Sequence, residues 1–474
     1  MRRTVTVNMT EGRPLILLAG FALPLLVGNL FQQAYNLADS MIVGRMLGAD
    51  ALAAVGATGS ISFLFFSFFN GISGGCGILT AKHFGARQDN MVRLAISNSA
   101  YIMQTASLIT GMAAFLLTPA VLGWMGTPPE ILPDAVIYMR MITASAPLVA
   151  VYNYSSSMQR ALGDSRTPLY FLIVSCVINV GLDLLFIGAF GMGVFGAALA
   201  TMLSQLLAGL GSLGYAFRFN PYFRLGRKDI IHSPAIIRGA LRLGLPLALQ
   251  WSLIAVSTTA LQTVVNSFGA VAVAAFTATN RLEQLVQQPF ASMSMALSTY
   301  SGQNMGAGKM DRIRMGFRDS LLAMLVLAGV MLLIMQLFGR GLVGLFVHER
   351  SVIELGGQAL RITSVFYAAL GLIYVTRGVL NGVGDAFFSL LNGIVEIAGR
   401  VGFPLLLLRL GSPALWAAFE RALGLSRTMA APPPASVWVI WITAGATWLL
   451  SGFFCVLRYI SWRQKAKNGE VIRA

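Results

Sequence analysis

In a chain with 11% charged residues, each ionisable side chain inside an apolar stretch is a candidate for chemistry. Asn179 and Asp183 stand four residues apart, so on a helix the amide and the carboxylate share a face. Gln32, Tyr35 or Asn36, and Asp39 recur at three-to-four-residue spacing and lay a polar stripe along another helix. Thr201 and Ser204 follow in the next apolar stretch. Two carboxylates with amide and hydroxyl oxygens nearby can hold Na⁺ by hard oxygen ligation or share a proton. Equally open from spacing alone is a structural role, with Asp39 capping the turn before Gly44 and Asp183 bonding locally. A second polar set comprises Arg281, Glu283, Arg377, Glu396 and Arg400, in which Glu396 and Arg400 can pair along one helix face. It reads as well as charge-neutral packing pairs as it does as a substrate site.

Other chemistries are excluded. Gly71-Ile72-Ser73-Gly74-Gly75 matches the G-x-S-x-G string of serine hydrolases, but it lies within an apolar run and not at a strand-to-helix elbow. Small residues there serve close helix packing. His83, His232 and His348 fall in loops, and Cys76, Cys176 and Cys455 lie in apolar spans without metal-type spacing. With no Gly-x4-Gly-Lys-Ser/Thr string, ATP hydrolysis by this chain is not expected. The sequence predicts no enzyme, no cofactor and no metal beyond a Na⁺ at Asp39/Asp183. Phe63, Phe65, Phe66, Phe68 and Phe69, with Met293, Met295 and Tyr300, offer polarisable surface to an organic cation or, just as well, to lipid.

The elements that must position these groups are membrane helices. Hydrophobic residues make up 56% of the chain, and charge-free runs such as Pro14–Ala38, Ala51–Ala81, Leu94–Pro129 and Leu243–Asn280 are long enough to cross about 30 Å of hydrocarbon. Splitting them at the turn signals Gly44–Asp50, Thr127–Pro133, Gly188–Gly193 and Ser267–Ala270 predicts about twelve spans of an all-α polytopic protein. The first run has no small-residue cleavage site, so it is expected to stay as a span. The net charge of +16 concentrates in alternate loops, including Lys82, Arg87, Arg160, Arg224, Arg227, Lys228, Lys309 and Arg312. By the positive-inside rule those loops and both termini are expected to be cytoplasmic, and the basic balance needs no acidic partner beyond anionic inner-leaflet lipid, so no nucleic acid is expected.

An internal repeat organises the spans. Gly48-Ala49 matches Gly269-Ala270, Gly85-Ala86 matches Gly306-Ala307, and Gly163-Asp164 matches Gly384-Asp385, all at one offset. Two pseudo-symmetric six-helix bundles follow: an N-terminal lobe over 1–217, a basic linker over 218–242, and a C-terminal lobe over 243–474 with a basic tail. Parallel duplicated bundles with a cleft between them suit alternating access, and one chain suffices for it. The stretch 411–436 is an insertion in the second copy and is expected as an external loop with a short interfacial helix. Pro24 and Pro246 take nearly equivalent places in the two copies, where proline can hinge a helix.

Three stretches carry a family resemblance. Pro24 with Asn36-x-x-Asp39 and Val43-Gly44-x-x-Leu47-Gly48 resembles the first helix and loop of MATE (multidrug and toxic compound extrusion) transporters of the MOP superfamily. Gln159–Pro168, Asn179-x3-Asp183 and Gly191–Ala198 are similar to that family's fourth-to-sixth-helix signature, and Asn381-Gly382-x-Gly384-Asp385 with Glu396-x3-Arg400 extends the match into the second half. The resemblance implies an antiporter exporting cationic amphipathic compounds in exchange for H⁺ or Na⁺. In the DinF-like branch it maps the ion site to Asp39, Asn179, Asp183 and Thr201, with Pro24 as the bend and a further polar residue from the fourth helix, Asn153 or Ser156. NorM-type members carry a glutamate early in the seventh helix where this chain has Gln250, so coupling is expected in the N-terminal lobe, with Glu283 and Glu396 supporting or contacting substrate. A lipid-linked precursor flippase is the alternative, kept open by Arg281, Arg377 and Arg400; a membrane enzyme or channel would need motifs the sequence lacks.

Overall fold

A computed structural model of the chain describes residues 6–422 and 434–468. They form α1 (Pro14–Leu47), α2 (Ala49–Ala57), α3 (Gly59–Gly85), α4 (Asp89–Trp124), α5 (Leu132–Ala144), α6 (Ala146–Ala161), α7 (Arg166–Asp183) and α8 (Gly193–Phe219) in the first half. The second half follows with α9 (Pro234–Asn266), α10 (Ala270–Gly306), α11 (Met310–Gly344), α12 (Arg350–Ser364), α13 (Tyr367–Gly382), α14 (Ala386–Leu410), α15 (Pro413–Ala422) and α16 (Val439–Lys467). No strand occurs among the described residues.

Nine of these helices are long and apolar enough to cross a membrane, and eleven spans result when the bent pairs α5 with α6 (49°) and α12 with α13 (52°) each count once. The twelfth expected span is α10. It has the length, 37 residues, but Arg281, Glu283, Gln284, Gln287 and Gln288 crowd its first half and lower its hydropathy. Glu283, Gln287 and Gln288 are half-buried there, whereas Arg281 and Gln284 are exposed.

The repeat is visible in the backbone. Left-handed turns recur at one offset of 221 residues: Gly48 (φ 92°) with Gly269 (85°), Arg87 (57°) with Gly308 (69°), and Gly163 (87°) with Gly384 (97°). A positive φ is a costly conformation for residues with a Cβ, so glycine fills five of these six places. One difference between the copies lies here: the first breaks at Thr58 between α2 and α3, whereas its counterpart α10 is uninterrupted. Pro24 lies inside α1, which runs unbroken through it.

The chain folds into two compact units that do not simply follow its halves. The first gathers Met1–Ser252, Ser298–Ile313 and Asn381–Phe387; the second gathers Leu253–Leu297, Arg314–Leu380 and Phe388–Ala474. Within the first unit α3 and the end of α10 cross with backbone touching backbone, at Gly85 and Gly306. The segment between α8 and α9 is tied to α4 by Asn98, whose amide donates to Ile231 O and accepts from the Ser233 N–H, both at 2.9 Å.

The insertion is more ordered than a loop where it is described. Its helix α15 seats Trp416 in a buried cluster with Val437, Trp438, Val439, Ile440 and Trp441, and Trp438 Nε1 donates to Glu420 Oε1 at 2.9 Å. The buried indole of Trp416 gives this ten-residue helix a large apolar anchor. Arg427 and the first two prolines of Pro432-Pro433-Pro434 lie outside the described residues.

Candidate functional site

The four residues singled out from the N-terminal half converge in the first unit. Asp39 sits two turns from the end of α1 and Asp183 is the last residue of α7, where the helix widens into a π-helical turn, Leu184–Ala189. Such a turn re-aims the side chains beside it, and π-turns are frequent at functional sites. The two carboxyl groups come within hydrogen-bonding reach of each other. Asp183 and Asn179 are fully buried and Asp39 is 9% exposed.

Asn179 orients Asp183. With its amide turned to satisfy both neighbours, Nδ2 donates to Asp183 Oδ2 at 2.8 Å and the amide oxygen accepts from the Thr201 N–H at 3.1 Å. The amide oxygen is thereby used by the backbone of α8, so Asn179 acts as a support for the carboxylate. The Thr201 hydroxyl lies 3.3 Å from Tyr35 OH, which fixes Tyr35 beside Asp39. Gln32 and Asn36, the rest of the stripe on α1, bond to each other at 3.4 Å and leave Asp39 to the site.

One partner was absent from the sequence reading. Tyr138 of α5 brings its hydroxyl close enough to Asp39 and Asp183 to feel both charges, while its ring packs on the apolar floor of Val43, Ala51, Ile187, Val194 and Ala197. The fourth-helix candidates point elsewhere: Asn153 donates back to Val149 O at 3.4 Å, and Ser156 accepts from Arg160. The fourth span is bent between α5 and α6, so the residue that reaches the carboxylates comes from α5.

Asp39 Oδ1 and Asp183 Oδ1 are buried without a hydrogen-bond partner. Two carboxyl groups within reach of each other, each with an orphaned oxygen, fit a small cation or a proton, because an unpaired buried carboxylate is costly. Among the described residues no group of three or more His, Cys, Asp or Glu is gathered as for a transition metal.

The second unit holds a separate polar cluster. Glu396 on α14 takes Arg377 Nη2 at 3.6 Å on Oε1 and Arg400 Nη2 at 3.8 Å on Oε2, with Asn392 Nδ2 donating to Oε1 at 3.3 Å. Arg400 Nη1 also donates to Ser257 Oγ at 2.6 Å, and Glu283 lies in charge reach of Arg400 and bonding reach of Thr363. Two acids and two guanidinium groups balance, although Glu283 Oε1 and Arg377 Nε remain without partners. Two candidates named with this set fall outside it: Arg281 is exposed, and Gln250, with a buried unpartnered Nε2, belongs to the first unit.

Comparison with known proteins agrees with this architecture. Over 392 residues the chain is 30% identical to the "Probable multidrug resistance protein YpnP" of Bacillus subtilis (strain 168), covering 82% of this chain and 87% of that one. It is 29% identical to "Probable multidrug resistance protein YoeA" of the same strain over 386 residues, 80% and 83% of the two chains. Among solved structures, a MOP superfamily transporter from Pyrococcus furiosus superposes with a TM-score of 0.86 over 98% of this chain and 99% of that one, at 22% identity. That archaeal protein is described as having a binding pocket of reverse polarity, which suggests a different function for it. None of these is an enzyme by name, and none favours a flippase. The MatE family model matches residues 24–185 and again 246–399, the same duplication the backbone turns display. This all-α, multi-span chain is a member of the MatE family of multidrug efflux transporters.

Proposed function

We propose that the chain is an antiporter that exports cationic amphipathic compounds in exchange for H⁺ or Na⁺, with Asp39 and Asp183 as the coupling pair. What carries the reading is that two buried carboxylates from α1 and α7 lie within bonding reach, each with an orphaned oxygen. Charge at membrane depth is expensive, and two like charges side by side are more so; a cation or proton on the pair removes the repulsion. The chain's own groups then do the positioning. Asn179 holds Asp183, Thr201 holds Tyr35 against Asp39, and Tyr138 supplies a hydroxyl from α5.

Loading and unloading the pair would change how tightly α1 packs on α7, and a ligand shifts a conformational equilibrium by its difference in affinity for the two states. Pro24, which takes one backbone bond out of α1, is the proposed bend. Alternating access of two six-helix lobes, a bacterial inner-membrane location with cytoplasmic termini, function as a monomer, and a place in the DinF-like branch belong to the same reading. So does the cluster of Glu283, Glu396 and Arg400 as a substrate or polar site, with Gln250 and Arg281 standing apart from it.

The test is transport of a fluorescent organic cation in energised inverted vesicles, with Na⁺ and pH gradients imposed separately on wild type, Asp39→Asn and Asp183→Asn. Loss of transport in both variants at normal expression supports the pair, and the gradient that drives wild type identifies the ion. Full transport by both variants would overturn it.

A further inference from the structure

The residues preceding α1 do not trail free. Val7 N–H donates to Leu162 O at 3.1 Å, and Met9 N–H donates to Gln303 Oε1 at 2.9 Å. Asn304 Nδ2 and Arg312 Nη2 both donate to Met9 O at 3.2 Å, Lys309 Nζ to Thr10 O at 2.9 Å, and Arg312 Nη1 to Gly12 O at 2.9 Å. Met9 and Thr10 are 1% and 4% exposed, although Val7, Asn8, Glu11 and Gly12 on either side are open to solvent.

The seat is built from both copies of the repeat, and every part of it lies in the first compact unit. Leu162 and Gly163 close the turn between α6 and α7, whereas Gln303 to Arg312 close the turn between α10 and α11. One side chain ties the two together: Gln303 accepts from Met9 with Oε1 and donates to Ala161 O with Nε2 at 3.0 Å. Gly163 fits the seat because a Cβ there would stand 2.1 Å from Val7 O. Beneath it runs the backbone crossing of α3 and α10. Most bonds to the segment are made to its backbone, which turns at Met9–Thr10 with Asn8 Oδ1 accepting from the Thr10 N–H, so it is held as a folded peptide in a groove; Lys309 Nζ to Thr10 Oγ1 at 3.5 Å and Arg87 Nη2 to the exposed Glu11 Oε1 at 3.1 Å are its side-chain bonds.

We propose that residues 7–12 are a releasable strap, a peptide ligand built into the chain, that holds this basic end of the bundle shut and leaves its seat whenever that end opens. The idea rests on the alternating-access reading above, since the turns it joins come from the two copies that must part. A fixed anchor would make the same bonds but would never let go.

The decisive experiment uses full-length protein in which Cys76, Cys176 and Cys455 are replaced by Ala, carrying Met9→Cys with Asn304→Cys. Oxidation to the disulfide should cut transport of the organic cation at least ten-fold, and dithiothreitol should restore it; equal transport in the oxidised and reduced forms overturns the strap. If the reduced protein transports nothing under either gradient, the transport reading has failed, and a second measurement still decides the strap. In the same background, single Thr10→Cys should react with a membrane-impermeant maleimide at least five-fold more slowly than Glu11→Cys, and Gln303→Ala should remove that protection. Labelling of Thr10→Cys at the Glu11→Cys rate shows the seat empty and refutes the proposal.

Discussion

Gly85 and Gly306 cross reciprocally: a Cβ on Gly85 would lie 1.8 Å from Gln303 O, and a Cβ on Gly306 would lie 1.8 Å from Lys82 O. Each glycine is the other's counterpart in the repeat, and so are the two carbonyls they meet, at the same 221-residue offset. The contact is therefore made twice by one piece of sequence, across a local pseudo-two-fold.

Neither glycine can take a methyl without moving backbone. Gly85→Ala and Gly306→Ala should each lower stability by about 1–3 kcal/mol, the range for overpacked sites, read as a fall in the midpoint of thermal unfolding in detergent. Gly214→Ala, where an added Cβ meets nothing within 4 Å, is the control. Equal midpoints for all three would show that the crossing is looser than described.

Tyr138→Phe tests the one site residue that spacing did not announce. It removes a hydroxyl and keeps the ring on its apolar floor of Val43, Ile187 and Val194. If the hydroxyl helps bind the coupling ion, about 1 kcal/mol of hydrogen bonding is lost. The half-saturating ion concentration for transport should then rise about five-fold with the maximal rate preserved. An unchanged ion dependence would reduce Tyr138 to packing.

The cluster around Glu396 is a buried ion network, and removing one partner of such a network costs about 3–5 kcal/mol because a charge is left uncompensated. Glu396→Gln should show that loss in thermal unfolding, since it strands both Arg377 and Arg400. Adding Arg400→Gln should recover part of it, so that the double variant is more stable than Glu396→Gln alone. Strict additivity would mean that the guanidinium groups do not depend on this carboxylate.

How far the sequence announced these features follows from the physics of each. Asp39, Asn179 and Asp183 were legible because ionisable and amide groups in apolar spans are rare and helical spacing fixes their faces. Tyr138 was not: a tyrosine in a span is ordinary, and its aim depends on the 49° bend between α5 and α6, for which no local residue is an unambiguous signal. The repeat was legible from glycine pairs because left-handed turns demand them. Hydropathy alone would have missed α10, whose polar first half hides a 37-residue helix; the turn signal Ser267–Ala270 and its register with α2 and α3 expose it. The i, i+4 pairing of Glu396 with Arg400 could be read from spacing, whereas the contact of Glu396 with Arg377 is tertiary.

The seat of residues 7–12 also fixes an order of events during biosynthesis. Its amide and guanidinium partners lie 294–303 residues downstream, so the ribosome must translate most of the chain before they exist. At about 5–20 residues per second that delay is about 15–60 s. Throughout it the seat can offer only the bond from the Val7 N–H to Leu162 O, which leaves Met9 to Gly12 available to targeting factors or modifying enzymes. Whatever occupies that peptide in the interval competes with the bonds that Gln303, Asn304, Lys309 and Arg312 later make to it.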